Sequence, residues 1–169
     1  TPGGGALPGG MGWYRKHFKL PESDKGKVIY IDFDGVYRNS RVWLNGHLLG
    51  FRPNGYVSFR YDLTPYLNYG KEENVLVVQA DNSDQPNSRW YSGSGIYRNV
   101  WLVKTGQVHV DNWGTNITTP VMNADKSTVE IETTLKNEAS DVTVEVSTLI
   151  QDKEGKTLYR ISSPAEIAA

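Results

Sequence analysis

Arg41-Val42-Trp43-Leu44-Asn45-Gly46-His47-Leu48-Leu49-Gly50-Phe51 is the stretch that decides the fold. Two apolar runs flank an Asn-Gly pair. A type I′ turn needs positive φ at both of its central residues, and Asn-Gly supplies them at the lowest steric cost. The segment therefore predicts a tight antiparallel hairpin. Working outward, Val28-Ile29-Tyr30-Ile31-Asp32-Phe33 is β-branched and aromatic. Tyr56 to Tyr61, Val75 to Ala80 and Asn99 to Lys104 are further strand candidates. Helical punctuation is confined to Thr64-Pro65-Tyr66-Leu67. Here Thr64 is expected to cap, Pro65 fits the first helical position, and Gly70 can end a single turn.

The pattern changes at Thr105-Gly106. Beyond it, Val129, Ile131, Thr133 and Leu135 alternate with Glu130, Glu132, Thr134 and Lys136, and Val142, Val144 and Val146 repeat the alternation. A period of two marks antiparallel strands with one face in water. Lys153-Glu154-Gly155-Lys156 reads as a turn between two such strands. The expected division is a β-sandwich over 1–105 and the start of a second over 106–169. The latter falls short of the roughly 100 residues of an immunoglobulin-like domain. The chain opens Thr1-Pro2-Gly3-Gly4-Gly5 without the features of a secretory signal, and its end reads as a cut. Residues 3–12 are either a flexible arm or an ordered loop leading to Trp13 and Tyr14.

Composition excludes several classes of function. Of 169 residues, 38% are hydrophobic and 22% charged, with five Trp, ten Tyr and four Phe, so a folded core is expected. The formal charge of -1 lacks the basic excess of a nucleic-acid binder. No apolar run approaches the ~18–20 residues of a membrane helix. The absence of cysteine removes disulfides, thiolate metal sites and thiol catalysis. His17, His47 and His109 are scattered. No cofactor and no metal is expected, nor nucleic-acid or membrane partners.

The segment from Asp81 to Trp101 is the best candidate for chemistry. It runs from a strand end through Asn82-Ser83-Asp84-Gln85-Pro86-Asn87-Ser88-Arg89-Trp90-Tyr91-Ser92-Gly93-Ser94-Gly95 into another strand. Amides, carboxylates and arginine hydrogen-bond sugar hydroxyls, and Trp and Tyr offer flat faces to the C–H face of a pyranose. A loop carrying both on a rigid sheet suits a carbohydrate. For Arg89 and Trp90, sugar contact and packing stand open alike. Trp101, mid-strand, is expected to pack in the core or between domains. Gly93-Ser94-Gly95 is neither a dinucleotide fingerprint nor a nucleophile elbow, since both lack their flanking glycines. Asp32, Asp34, Asp81 and Asp84 could in principle supply a carboxylate pair, but strand-end and turn roles are expected for each.

Trp13-Tyr14-Arg15-Lys16, Val42-Trp43-Leu44-Asn45-Gly46, Asp62-Leu63-Thr64 and Ser94-Gly95-Ile96-Tyr97-Arg98-Asn99-Val100, in this order, resemble the amino-terminal part of glycoside hydrolase family 2. The resemblance covers residues 10–105 tightly and 106–160 more loosely. With Asn87-Ser88-Arg89-Trp90-Tyr91-Ser92-Gly93 it points to the β-galactosidase branch. It implies an all-β chain: a jelly-roll sandwich with a galactose-binding-like architecture, then a truncated immunoglobulin-like sandwich. It also implies a retaining mechanism on two glutamates of a TIM barrel, which needs ~250 residues and cannot fit here. The one Asn-Glu pair, Asn137-Glu138, lies in a turn region of the second sandwich. The chain is then expected to be inactive alone, without catalytic residues. Asn87, Ser88, Arg89 and Trp90 would form part of the sugar-pocket rim, the glycine-rich arm being the other contributor. Expected partners are a terminal β-galactoside, the barrel and, as one possibility, a second copy. The parent would work in the periplasm or outside a Gram-negative cell, with the cytoplasm as the alternative. Rival readings are a free-standing carbohydrate-binding module, a β-glucuronidase or β-mannosidase fragment, and a purely structural or oligomerisation domain.

Overall fold

The computed structural model describes residues 10–84 and 93–169. The chain divides into two compact units, Thr1–Thr105 and Gly106–Ala169. Strands dominate both.

Among the described residues, the first unit has nine strands: β1 (Met11–Phe18), β2 (Val28–Phe33), β3 (Val36–Tyr37), β4 (Ser40–Leu44), β5 (His47–Arg52), β6 (Phe59–Asp62), β7 (Asn74–Asp81), β8 (Gly95–Ile96) and β9 (Val100–Thr105). One sheet has the order β1-β7-β4-β5 and the other β6-β2-β9, with β3 and β8 forming a separate pair. Every pairing is antiparallel. The core lies between the sheets. Val42, Leu44, Leu76, Val78 and Ala80 of one face Ile31, Phe33 and Phe59 of the other. Their alternation along each strand is what sandwich packing demands. Phe33 and Phe59, directly opposed in register, have ring centroids 4.9 Å apart.

The Asn45-Gly46 turn forms as expected, with φ of 49° and 86°. Asn45 also does more than turn. Its side-chain amide donates to Tyr66 O (2.7 Å) and Asn74 Oδ1 (2.9 Å), and its carbonyl accepts from Val75 N (2.8 Å). The hairpin tip is thereby tied to the start of β7. The short 3-10 turn Thr64–Tyr66 differs from expectation. Thr64 does not cap it: its hydroxyl instead meets the backbone of Ile29 in β2, and Asp62 Oδ1 accepts from Thr64 N at 2.8 Å. The expected strand at Tyr56–Tyr61 is confined to β6, because Asn54 Oδ1 accepts from Tyr56 N and holds the preceding residues in a bend. Strand β1 had no counterpart in the sequence reading. Gly10 to Gly12 enter it directly, so this part of the glycine-rich stretch is ordered.

The second unit contains β10 (Val108–Met122), β11 (Ser127–Asn137), β12 (Val142–Gln151) and β13 (Thr157–Ile167), paired as two antiparallel hairpins. Apolar residues of β11 (Val129, Ile131, Leu135) and of the other hairpin (Val146, Ile150, Ile161) line one cavity between them. Asp152 Oδ1 accepts from Glu154 N and Lys156 N, and Gly155 takes φ of 83°, closing the turn expected there. Asn137 stitches a turn by donating to Ser140 O at 2.9 Å.

Candidate sugar-facing site

Strand β7 ends at Asp81, and β3 leads through Arg38 and Asn39 into β4. These two chain reversals lock together. Asp81 N donates to Arg38 O (2.9 Å), and Asn39 Nδ2 donates to Asp81 O (3.3 Å). Arg38 reaches across to Asp84, donating to its carbonyl at 3.2 Å. Asp81 Oδ1 accepts from the Ser83 hydroxyl (2.6 Å) and the Ser83 amide (3.0 Å). These hydrogen bonds, the hydroxyl's first, hold the Asp81 carboxyl below its ordinary pKa.

Asn82 is fully buried and closes the clasp. Its backbone N–H donates to Gly10 O (2.9 Å) and its side-chain amide to Ser94 Oγ (2.8 Å). It therefore joins the two stems that flank residues 85–92 and fastens both to the entry of β1. A buried amide is stabilising only when satisfied in this way.

Tyrosines surround the clasp, each seated against a glycine. The Tyr37 ring occupies the space a β-carbon on Gly55 would need, Tyr97 does so at Gly35, and Tyr14 at Gly95, whose φ is +91°. Tyr97 OH donates to Gly55 O at 2.8 Å, and the Tyr37 and Tyr56 centroids are 5.2 Å apart. Tyr14, Tyr56 and Tyr97 keep substantial ring area exposed. Rigid aromatic faces beside fixed amides and hydroxyls suit a polar ring compound with an apolar face.

The sequence-predicted site residues Asn87, Ser88, Arg89 and Trp90 lie outside the described residues. Their neighbours Asp81 to Asp84 and Gly93 to Arg98 are placed, and the clasp joins them. The sequence reading missed Arg38, Tyr37 and Tyr56, and the roles of Tyr97 and Asn82. No local signal marked these contacts, because each tyrosine sits against a glycine distant in sequence, Tyr37 at Gly55, Tyr97 at Gly35 and Tyr14 at Gly95.

The four candidate acids have structural partners. Asp32 makes a bidentate pair with Arg60 (2.6 and 2.7 Å), and Asp34 accepts from Trp101 Nε1 (3.1 Å). Asp81 holds Ser83, and Asp84 lies 3.7 Å from Arg38. Of the two packing roles expected for Trp101, in the core or between domains, the first does not hold. Trp101 is 54% exposed, because its register partner on β2 is Asp32, which points away from the core.

The profile of the sugar binding domain of glycosyl hydrolases family 2 matches residues 7–106. The chain belongs to glycoside hydrolase family 2. Within this family it is 54% identical over 168 residues to a β-galactosidase of Bacteroides ovatus, covering 99% of this chain and 20% of that protein. It is 46% identical over 134 residues to a putative β-glucuronidase of Formosa agariphila, covering 79% of this chain and 13% of that protein. A crystal structure of a family 2 member from Bacteroides cellulosilyticus superposes with a TM-score of 0.91 at 39% identity, over 95% of this chain and 22% of that one. The chain thus spans about a fifth of the B. ovatus protein's length. The clasp, from Gly10 to Ser94, lies wholly within the matched sugar binding domain.

Proposed function

We propose that residues 1–169 are the sugar-binding domain and following sandwich of a family 2 β-galactosidase acting on terminal β-galactosides. The clasped end of the first unit would stand at the rim of its sugar pocket. One observation carries the substrate assignment: 54% identity to a β-galactosidase over practically the whole chain. The 46% identity to a putative β-glucuronidase makes that activity the second reading. The tyrosines and the Asn82 clasp support a rim role, positioning a sugar rather than moving protons. In this reading Asn87, Ser88, Arg89 and Trp90 reach the sugar. The retaining chemistry belongs to two glutamates of a barrel outside these residues, and assembly into homo-oligomers and a periplasmic or secreted location complete the proposal.

The test is a chemical-shift titration of the 169-residue chain with methyl β-galactoside and methyl β-glucuronide. Galactoside shifts should cluster at Asn82, Ser94, Tyr97 and residues 87–90, with a Kd on the order of 10 mM. Shifts scattered elsewhere, or confined to the glucuronide, would count against the proposal.

A further inference from the structure

A groove of about 540 Å³ opens along one side of the first sandwich, between the edge strands β1 and β9. Core residues Ile31, Phe33, Leu76 and Val78 form its floor. Directly opposed residues of an antiparallel pair share a face. Val100 is opposite Phe33 and Leu102 opposite Ile31, so both β9 residues face the core side. Phe33 and Ile31 are 0% and 4% exposed, yet Val100 and Leu102 remain 39% and 42% exposed. On the other wall, Tyr14 and Lys16 are opposite Val78 and Leu76 and face the same gap. Val100 and Leu102, inward-facing apolar residues on a strand edge, are thus left open to water.

We propose that this groove is a strand-acceptor site, filled by an extended segment of the parent polypeptide lying outside residues 1–169. The chain spans about a fifth of the B. ovatus relative's length, so ample polypeptide exists in such an enzyme to fill it. Charge chooses the edge. β1 carries Arg15-Lys16-His17 at mid-strand, and charged edges resist pairing; Val100-Trp101-Leu102-Val103 carries no charge. The segment therefore adds to β9.

Charge also describes the occupant. Among the described residues, those that line the groove include Arg15, Lys16, Lys19 and Lys104 and no carboxylate. Lys104 is already held by Asp24 at 2.5 Å, and Lys19 lies 3.9 Å from Glu73. Lys16 faces the gap. A second copy docked groove to groove would bring like charge against like. The fitting occupant is a strand with apolar residues at alternate positions and a carboxylate opposite Lys16. This inference rests on the fold and on family membership, not on the identity of the glycoside.

The test is amide hydrogen exchange along β9, in the 169-residue chain and in the product of the complete reading frame. In the chain, alternate amides of residues 100–104 should exchange rapidly, as on any free edge. In the complete product the same amides should slow by about a hundredfold or more, and Lys16→Glu should return part of that exchange. Equal rates in the two proteins would overturn the proposal. So would protection of β9 in a dimer of the 169-residue chain, or a reading frame that adds nothing to it.

Discussion

The phenol of Tyr14, in β1, lies against the α-carbon of Gly95, in the space a β-carbon would fill. Gly95 also holds φ of +91°, which side-chain-bearing residues rarely adopt. Gly95→Ala should therefore cost about 2–4 kcal/mol, from backbone strain plus the collision. Tyr14→Ala in the same chain relieves the collision but not the strain. A double-mutant cycle by urea unfolding should show a coupling of about 1 kcal/mol. Strict additivity would remove the contact from the account.

The Asn45 side chain makes three hydrogen bonds that fasten the β4–β5 turn to β7 and to the 3-10 turn. At roughly 1 kcal/mol each, with a left-handed φ added, Asn45→Ala should lower stability by about 2–4 kcal/mol. Asn45→Asp keeps the acceptor for Val75 N but sets a carboxylate oxygen against Tyr66 O and Asn74 Oδ1, so it should cost at least as much as Asn45→Ala. Chemical denaturation of the three proteins gives the order directly.

Asp24 is buried between Lys104 Nζ (2.5 Å) and Lys27 Nζ (2.8 Å). The Lys104 hydrogen bond first, then that of Lys27, holds its carboxyl below the usual value. A depressed native pKa means that the unfolded chain binds the extra proton. The stabilisation is then complete above the ordinary carboxylate value of about 4 and is lost as pH falls through the native value. Melting temperature should fall on acidification below about pH 4, and Asp24→Asn should flatten that limb. An unchanged acid limb in the variant would assign the loss to other carboxylates.

Trp101 and Phe33 make opposite predictions despite similar bulk. Phe33→Ala empties the centre of the core and should cost about 3–5 kcal/mol. Trp101→Ala removes an exposed ring and one hydrogen bond to Asp34, so about 1 kcal/mol is expected. Thermal or urea unfolding separates the two readily.

These cases mark where sequence periodicity carries information and where it stops. The Asn45-Gly46 turn was legible because its backbone angles are a local demand. Residues 28–33 were legible as a strand because β-branched and aromatic residues gather there. Strand β1 was hidden by Gly10 and Gly12 and by its charged middle, Arg15-Lys16-His17, which follow the needs of an edge rather than a buried strand. The face of Trp101 was not legible, because the register that sets it depends on Asp32, about 70 residues away in sequence. The clasp was half legible. The polar run from Asp81 to Ser94 drew attention, but its tie to Arg38, Asn39 and Gly10 exists only once β3, β4 and β7 come together. Thr64 looked like a cap, yet its hydroxyl is engaged by the backbone of Ile29, and its own N–H donates to Asp62 Oδ1.

As proposed, residues 1–169 would shape the sugar pocket of a β-galactosidase without supplying its chemistry. Hydrolysis of nitrophenyl β-galactoside and nitrophenyl β-glucuronide, by the complete reading-frame product and by residues 1–169 alone, tests it most directly. The account predicts that the complete product turns over the galactoside in clear preference to the glucuronide, and that the isolated chain shows no turnover above buffer. Preference for the glucuronide, or activity of the isolated chain that survives repurification, would contradict it.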